Sequence, residues 1–252
     1  PVEGEIEFRN VSFTYEDTDI QALKDVSFKI EQGKTLAILG KTGSGKSTIA
    51  ALIPRMYDVD QGDILIDGRP IRELNLQDLR ESIGYVPQDA FLFSDSIKNN
   101  IRIGKEAADD EEIRQAAESA YILHNIENFQ NGFDTLVGER GVTLSGGQKQ
   151  RVSIARALIA DPEILIFDDC LSAVDTETEE IILKNLGKAT KGKTTIIISH
   201  RTSSVKNADH IIVLDEGRVV QSGVHEDLIL KEGYYQDIYN QQLEEKLSGQ
   251  ES

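Results

Sequence analysis

Short apolar runs, separated by polar and turn-forming residues, recur along the whole chain and predict β-strands. The runs with this pattern are Thr35–Leu39, Gly62–Ile66, Ile164–Phe167, Thr194–Ser199 and His210–Leu214. Segments with helical periodicity lie between several of these runs, and this alternation is typical of an α/β fold with parallel strands. The pattern therefore predicts an α/β core.

The beginning of the chain has a different pattern, in which polar and apolar residues alternate. The alternation over Glu5–Phe8, Ser12–Tyr15 and Val26–Ile30 predicts antiparallel strands with one exposed face. We therefore expect an antiparallel β subdomain before the core.

Residues 89–158 have almost no strand character, whereas Asp109–Ala120 and Gln148–Ala160 have helical periodicity. This stretch predicts an α-helical subdomain inserted into the core. We expect the whole chain to form one domain, with residues 1–88 and 159–252 in the α/β part and its N-terminal β subdomain.

The last part of the chain, Gly233–Leu247, has the pattern of one amphipathic helix. Its apolar stripe consists of Tyr235, Ile238, Tyr239 and Leu243. We expect this stripe to pack against the core or against a neighbouring subunit.

Charge and composition narrow the possible functions. The 252 residues include 27 Lys and Arg against 44 Asp and Glu, a net charge of −17, which disfavours nucleic acid and anionic membranes as general partners. No apolar run is long enough to cross a membrane, and the single cysteine, Cys170, excludes an internal disulfide.

Because the sequence begins at Pro1 and its only methionine is Met56, we expect it to be part of a longer chain.

The strongest chemical motif is a glycine-rich loop between a predicted strand and the predicted helix Ser47–Ile53. The loop reads Gly40, Lys41, Thr42, Gly43, Ser44, Gly45, Lys46 and Ser47. Glycines allow successive backbone N–H groups to face the oxygens of a phosphate group. Lys46 is expected to reach the β- and γ-phosphates, and Ser47 to bind Mg²⁺, with Thr48 in the same site.

Two further strands end in residues that suit a nucleotide site. Asp168 and Asp169 follow the apolar run Ile164–Phe167, and His200 follows Thr194–Ser199. Ligands of open α/β sheets bind at the carboxyl ends of the strands, so Asp168 is expected to hold Mg²⁺ and His200 to contact or position the γ-phosphate. A purely structural histidine is the alternative.

A second glycine motif comprises Leu144, Ser145, Gly146, Gly147 and Gln148. It resembles the signature sequence of ABC-type ATPases and lies, as in that family, between the phosphate loop and the Asp168 strand. Ser145 and the two glycine amides would form a second anion-binding site at a helix N-terminus. In isolation, the same motif would be only a helix cap.

The resemblance extends over essentially the whole chain and is closest to the nucleotide-binding domain of an exporter-type ABC transporter. It implies a P-loop (RecA-like) ATPase core with the two subdomains described above, binding ATP and Mg²⁺. It also implies that Tyr15 stacks on adenine and that Gln88 contacts the metal and nucleotide and links them to the membrane domain. Simple packing for Tyr15 and a polar loop position for Gln88 are the alternatives.

Two more segments resemble the family. Ser172–Asp175 resembles the loop that crosses between paired cassettes, although its residues could equally cap the helix that begins near Thr176. Val137–Gly141 resembles the exporter segment that contacts the membrane domain, with a turn held by pairing of Glu139 and Arg140 as the alternative.

One residue departs from the family pattern. Where the family has a glutamate that polarises the attacking water, this chain has Asp169, whose side chain is one methylene shorter. The resemblance therefore implies that the chain's own ATP site is degenerate. Because the motif Ser145–Gln148 is intact, it also implies that this signature completes the ATP site of a different partner subunit. We therefore expect low activity of this chain alone, and the departure at Cys170 has no explanation from the sequence.

The resemblance leaves alternatives open: an ordinary homodimeric exporter that uses Asp169 as base, a mainly regulatory nucleotide-binding module, an importer ATPase or a soluble DNA-maintenance ATPase. The multidrug-exporter interpretation implies as partners a second cassette and transmembrane domains, and it places the domain at the cytoplasmic face of the cell membrane.

Overall fold

A computed structural model describes residues 1–139 and 141–249 of the chain. Two compact units make up the structure. Unit 1 consists of Pro1–Ile83 and Gly192–Ser252, and unit 2 consists of Gly84–Lys191.

In chain order, the strands of the described residues are β1 (Ile6–Tyr15), β2 (Ile20–Ile30), β3 (Thr35–Gly40), β4 (Gln61–Ile66), β5 (Arg69–Pro70), β6 (Ile83–Val86), β7 (Ile164–Asp168), β8 (Thr194–Ile198), β9 (His210–Asp215) and β10 (Arg218–Gly223). The α-helices are α1 (Lys46–Leu52), α2 (Leu76–Glu81), α3 (Ile97–Arg102), α4 (Asp110–Ser119), α5 (Leu123–Asn128), α6 (Gly146–Ile159), α7 (Thr176–Ala189), α8 (Thr202–Val205), α9 (His225–Leu228) and α10 (Tyr234–Leu247). No helix of residues 1–139 and 141–249 is both long enough and apolar enough to span a membrane.

The first layer of unit 1 is an antiparallel sheet with strand order β2–β1–β4–β5. The alternation predicted for the N-terminal strands is confirmed, with Ile6 and Phe8 on the buried side of β1. The edge strand β5 has only two residues, of which one is Pro70.

The placement of β4 corrects one expectation from the sequence. The sequence pattern groups its apolar run with the strands that predict the parallel sheet, but β4 pairs antiparallel with β1. Ile64, Leu65 and Ile66 are all buried, so the run shows no alternation, and periodicity does not distinguish it from a parallel core strand.

The second layer of unit 1 has strand order β10–β9–β3–β8. Strand β3 is parallel to both of its neighbours, and β10 is antiparallel to β9. Ala37 and Leu39 of β3 and Ile211 and Val213 of β9 form a buried cluster with Tyr235 of α10. This cluster supports the strand that leads into the phosphate loop.

Unit 2 contains the neighbouring strands β6 and β7 and the helices α3 to α7. Every residue of β7 is buried, which fits the uninterrupted apolar run that predicted it. Gly84 of β6 allows a close approach, since a Cβ at this position would lie 2.8 Å from Cδ2 of Leu165. Helices α3 and α4 pack against α6, which carries the signature motif.

The C-terminal helix α10 is anchored to unit 1 by its first turn. Tyr235 is fully buried, and its hydroxyl lies 2.6 Å from Nδ1 of His225. Burial raises the pKa of Tyr235 and lowers that of His225, so burial favours the neutral form of both side chains. Leu243, at the other end of the predicted stripe, is 40% exposed, so the helix packs mainly through Tyr235.

The lowered pKa of His225 predicts a loss of stability in acid. Below the ordinary value of 6.5, the unfolded chain takes up a proton on this imidazole more readily than the folded chain does, so the free energy of unfolding falls as pH falls towards the folded-state pKa. Urea unfolding at pH 7.5 and 5.5 should show a smaller acid-dependent loss for His225→Gln than for the unmodified chain. An equal loss in both would contradict the assignment to His225.

Candidate nucleotide-binding site

The phosphate loop connects β3 to α1 in unit 1, as the sequence predicts, and its backbone requires glycine at two positions. Gly43 and Gly45 have φ values of +79° and +107°, a region that residues with a Cβ rarely adopt. A Cβ on Gly45 would also lie 2.6 Å from the carbonyl oxygen of Ala22. The loop thus takes a curled path close to β2.

Two buried polar side chains in this loop fit a phosphate ligand. The hydroxyl of Ser44, which is 4% exposed, has no hydrogen-bond partner among the described residues. Lys46 is 7% exposed, and its ammonium donates to the carbonyl oxygens of Gly40 and, at 3.1 Å, of Lys41. A buried hydroxyl without a partner is costly, and a phosphate oxygen would give Ser44 an acceptor. The ammonium of Lys46 brings a positive charge to the same loop, which favours an anionic ligand.

The turn between β9 and β10 holds the loop from the other side. Gly217 donates its N–H to the carbonyl oxygen of Ser44 at 2.9 Å and accepts from the N–H of Lys24 at 2.9 Å. This position requires glycine for two reasons. Its φ is +80°, and a Cβ here would lie 2.6 Å from the carbonyl oxygen of Ala22. One residue therefore ties the phosphate loop to β2.

Tyr15 and Thr48, both predicted to lie near the nucleotide, contact each other. The tyrosine hydroxyl and Oγ1 of Thr48 are 2.7 Å apart, which joins the end of β1 to α1. The ring of Tyr15 also makes edge contacts with Phe13 and Tyr57, at centroid distances of 4.9 and 5.4 Å. These contacts account for packing of the half-buried ring, and stacking on adenine stays a prediction.

His200 leaves the sheet at the same edge as the phosphate loop. Ile38 of β3 pairs with Ile198 of β8, so Gly40 and His200 each stand two residues beyond this pair. The N–H of Ser199 donates to the carbonyl oxygen of Ile38 at 3.3 Å, which keeps the two chain segments together up to this point. His200 itself is exposed.

The signature motif begins α6 in unit 2 with a complete capping box. The hydroxyl of Ser145 accepts from the N–H of Gln148 at 3.1 Å, and the side chain of Gln148 accepts from the N–H of Ser145 at 2.9 Å. The cap predicted as the alternative is therefore present. It leaves the hydroxyl proton of Ser145 available to a ligand, and both Ser145 and Gly146 are exposed.

Gln150, which sequence reasoning missed, joins three segments of unit 2. Its amide donates to the carbonyl oxygen of Gln88 at 3.1 Å and to the hydroxyl of Ser172 at 3.2 Å, and it accepts from the N–H of Ala173 at 3.1 Å. Gln150 is 5% exposed. A glutamine on the buried face of α6 was the available signal, because buried amides need partners.

The carboxyl end of β7 carries Asp168 and Asp169. Asp168 is 7% exposed, and the hydroxyl of Tyr85 donates to its Oδ2 at 3.0 Å. Asp169 is half-buried and has a φ of +50°, a conformation that aspartate tolerates better than most residues. Cys170 is buried, and burial raises its pKa, so the departure at this position places a small, inert side chain in the core.

Two further segments that resemble the family, Ser172–Asp175 and Val137–Gly141, make local contacts in unit 2. Asp175 caps α7 by accepting from the N–H of Thr178 at 2.8 Å, which lowers the pKa of its carboxyl group. In the exporter-like segment, the N–H of Val137 donates to the carbonyl oxygen of Asp95 at 3.0 Å. The alternative pairing with Glu139 falls on Arg140, which lies outside the described residues.

The predicted site residues thus form two groups, one in each unit. Unit 1 carries the phosphate loop, Tyr15, Thr48 and His200, and unit 2 carries Gln88, the signature motif, Asp168 and Asp169. Ser47, Gln88 and Asp168, the predicted metal ligands, offer hydroxyl, amide and carboxylate oxygens, the donor type that Mg²⁺ takes.

Comparisons with known proteins agree with these motifs. The family model described as ABC transporter matches residues 23–172, more than half of the chain. The chain is 49% identical over 239 residues to the probable multidrug resistance ABC transporter ATP-binding/permease protein YheI of Bacillus subtilis, and 46% identical over 241 residues to the ATP-dependent lipid A-core flippase of Escherichia coli. Each alignment covers 95% of this chain and 41% of the relative, so the chain spans about two fifths of the length of these relatives.

A solved structure gives the same result for the fold. The structure of a bacterial Atm1-family ABC exporter with ATP bound matches with a TM-score of 0.90 and 44% sequence identity, over 94% of this chain and 42% of that chain. The α/β ATPase fold, with its antiparallel β subdomain and helical elements, is thereby confirmed. The chain belongs to the ABC transporter family.

Proposed function

We propose that this chain is the ATP-binding and ATP-hydrolysing cassette of an ABC exporter, which pairs with a second cassette around ATP. The observation that carries the proposal is the phosphate loop, in which a buried hydroxyl without a partner among the described residues, Ser44, accompanies a buried ammonium, Lys46. Both groups suit a triphosphate. The names of the relatives, which describe ATP-dependent and ATP-binding transport proteins, support it.

The residues of the chain divide the work of phosphoryl transfer, which depends on positioning and on stabilisation of charge. The amides of the phosphate loop and Lys46 bind the β- and γ-phosphates, and His200 orients the γ-phosphate. Ser47, Gln88 and Asp168 would hold Mg²⁺, which supplies charge neutralisation at the phosphate oxygens when bound. Asp169 occupies the position from which a carboxylate would polarise the attacking water.

The signature motif serves the nucleotide of the partner cassette. Ser145 and Gly146 are exposed at the N-terminus of the 14-residue helix α6, whose amides and dipole favour an anion. ATP bound to one phosphate loop would therefore bridge to the signature motif of the other cassette. Hydrolysis and release of phosphate remove this bridge and allow the pair to open.

We further propose that the partner is a different subunit and that the chain's own site is slow. The shorter carboxylate of Asp169 stands further from the water than a glutamate would, and misplacement by about 1 Å can reduce a rate about 100-fold. The complete capping box and the exposed glycine of the signature motif support a competent site on the partner's nucleotide. A homodimer in which Asp169 acts as the base, and a mainly regulatory module, are the alternatives.

An exposed apolar patch supports transmembrane domains as the second partner. Phe91, Phe93, Leu136 and Val142 of unit 2 are 64%, 49%, 58% and 44% exposed, and the two phenylalanine rings contact each other edge to face at 4.9 Å. Exposed apolar patches mark interaction sites. Since Leu136 and Val142 directly flank the exporter-like segment Val137–Gly141, we assign the patch to the membrane domains and propose that the cassette lies at the cytoplasmic face of the membrane.

A charge at the signature motif tests the ATP-bridged pair. Gly146→Asp adds a carboxylate to the first turn of α6, which favours the helix but repels the partner's triphosphate. In sedimentation experiments we therefore expect at least tenfold weaker MgATP-dependent pairing, whether with a second copy of the chain or with a cassette carrying the catalytic glutamate. MgATP binding by the single chain should stay unchanged. The matched control is Gly187→Asp, at a helical glycine where a Cβ would meet nothing within 4 Å.

Dimerisation of Gly146→Asp as strong as that of Gly187→Asp would contradict the role of the signature motif. A chain that binds no MgATP would contradict the proposed function as a whole. A chain that binds MgATP but stays monomeric, and pairs only with a cassette carrying the catalytic glutamate, would favour the different-subunit proposal over the homodimer.

A further inference from the structure

The side chain of Gln242, on the C-terminal helix α10, binds the backbone that follows the side chain of His200. Its amide nitrogen donates to the carbonyl oxygen of His200 at 3.0 Å. Its amide oxygen accepts from the N–H of Thr202 at 2.8 Å and from the hydroxyl of Thr202 at 2.8 Å. One glutamine therefore holds the chain immediately before and after Arg201.

These contacts replace a cap that the short helix α8 lacks. Arg201 occupies the N-cap position and makes no side-chain capping bond, so the first N–H groups of α8 need acceptors from elsewhere. The oxygen of Gln242 satisfies one of them at Thr202, which is 3% exposed. The start of α8, and with it the end of the His200 segment, is therefore set by a residue 40 positions away in the sequence.

Gln242 is itself held in place through α10. Tyr235 lies seven residues earlier on the same face of the helix, is fully buried and bonds to His225. The N–H of Tyr235 also donates to the side chain of Gln221 at 3.3 Å, and the side chain of Gln236 donates to the carbonyl oxygen of Ile229 at 2.9 Å. The helix thus reaches Gln242 from an anchored first turn.

We propose that Gln242 is a positioning residue for ATP hydrolysis, which fixes the backbone from the carbonyl of His200 to Thr202 and thereby the place of the His200 imidazole. The carbonyl of His200 and the N–H of Thr202 belong to the chain segment that directly follows β8. This segment leaves the sheet at the same edge as the phosphate loop. A shift of this backbone moves the imidazole away from the γ-phosphate, and shifts of about 1 Å are enough to reduce a rate substantially. The proposal rests on the proposed function, in which His200 orients the γ-phosphate.

Two substitutions separate the two halves of this contact. Gln242→Met removes all three hydrogen bonds at similar side-chain length, whereas Gln242→Glu keeps the acceptor for Thr202 and loses the donor to His200. The matched control is Gln241→Met, since Gln241 is exposed and its side chain bonds along the helix to Glu245 at 3.4 Å. If Gln242→Met fails to fold, Gln242→Glu still removes the bond to His200 while keeping the cap of α8.

The kinetic readout is steady-state hydrolysis of MgATP by the 252-residue chain. We expect Gln242→Met and Gln242→Glu to lower kcat at least fivefold with less than a twofold change in KM, and Gln241→Met to keep the kcat of the unmodified chain. Because Gln242 acts through His200, the double variant His200→Ala with Gln242→Met should hydrolyse ATP no more slowly than His200→Ala alone. A further fivefold loss in the double variant would overturn the proposal.

Different results would contradict the role proposed for His200 and the positioning role proposed for Gln242. If His200→Ala keeps the original kcat, the role assigned to His200 is wrong and the positioning role falls with it. If His200→Ala lowers kcat but neither Gln242 variant does, only the positioning role is wrong.

A spectroscopic readout decides the case independently of the rate. The chain has four histidines, so their imidazole signals can be separated in a ¹H–¹³C NMR spectrum and the His200 signal assigned from His200→Ala. We expect Gln242→Glu to shift the His200 signal and to leave that of His124, in unit 2, in place. An unchanged His200 signal would overturn the proposal.

Discussion

Replacement of Lys46 by methionine is expected to weaken binding of MgATP at least 100-fold and to abolish hydrolysis. The ammonium of Lys46 is almost fully buried at the phosphate loop, where it bonds to the carbonyl oxygens of Gly40 and Lys41. A unit charge about 4 Å from a phosphate oxygen contributes about 4 kcal/mol at an effective dielectric constant of about 20. Since about 1.4 kcal/mol corresponds to a factor of ten, the loss of this charge alone accounts for the expected effect.

The matched control is Lys34→Met, at an exposed lysine that precedes the opposite end of the same strand, β3. Isothermal titration with MgATP should give this control the affinity of the unmodified chain, because its charge lies at the far end of the strand and in solvent. Circular dichroism would verify that Lys46→Met is folded. A folded Lys46→Met chain that binds MgATP within threefold of the original affinity would contradict the assignment of the phosphate site.

The second large effect is a gain of activity. Asp169→Glu should raise the rate of ATP hydrolysis at least tenfold with little change in KM, because the longer side chain brings its carboxylate closer to the attacking water. Asp169 follows the buried strand β7 directly and has a φ of +50°. Glutamate adopts this conformation at an added cost of about 1 kcal/mol, which is small compared with the expected gain in rate.

Asp169→Asn distinguishes the two kinds of cassette pair. Asparagine keeps the shape of the side chain and tolerates the same backbone conformation, but it cannot accept a proton from water. In the degenerate-site proposal, Asp169 contributes little, so we expect Asp169→Asn to change the rate less than threefold. A loss of 100-fold or more would show that Asp169 is the working base and would favour the homodimer.

Local motifs made much of the site predictable. The phosphate loop needs glycines where its backbone turns, and Gly43 and Gly45 have the positive φ values that explain their presence. Likewise, the capping box of the signature motif is readable because Ser145 and Gln148 lie three residues apart. These features depend on neighbours in the sequence, and reasoning from the sequence reaches them.

Other features depend on contacts between distant parts of the chain. The pairing of β4 with β1 cannot be inferred from an apolar run that is buried throughout. Gln150 and Gln242 resemble any other polar residue of a helix until the folded chain brings carbonyl and N–H groups to their amides. Side-chain amides of this kind escape sequence reasoning because their partners lie from 22 to 62 residues away.

The two-residue strand β5 has a consequence for the behaviour of the chain at high concentration. An exposed sheet edge offers unpaired N–H and C=O groups to which another molecule can add a strand, which is a common route to aggregation. β5 covers the end of β4 at Leu65 and Ile66 and consists of Arg69 and Pro70, a charged residue and one that has no N–H to donate. At this end of β4, the edge therefore gives a second molecule almost no template for strand addition, which disfavours fibril-like association.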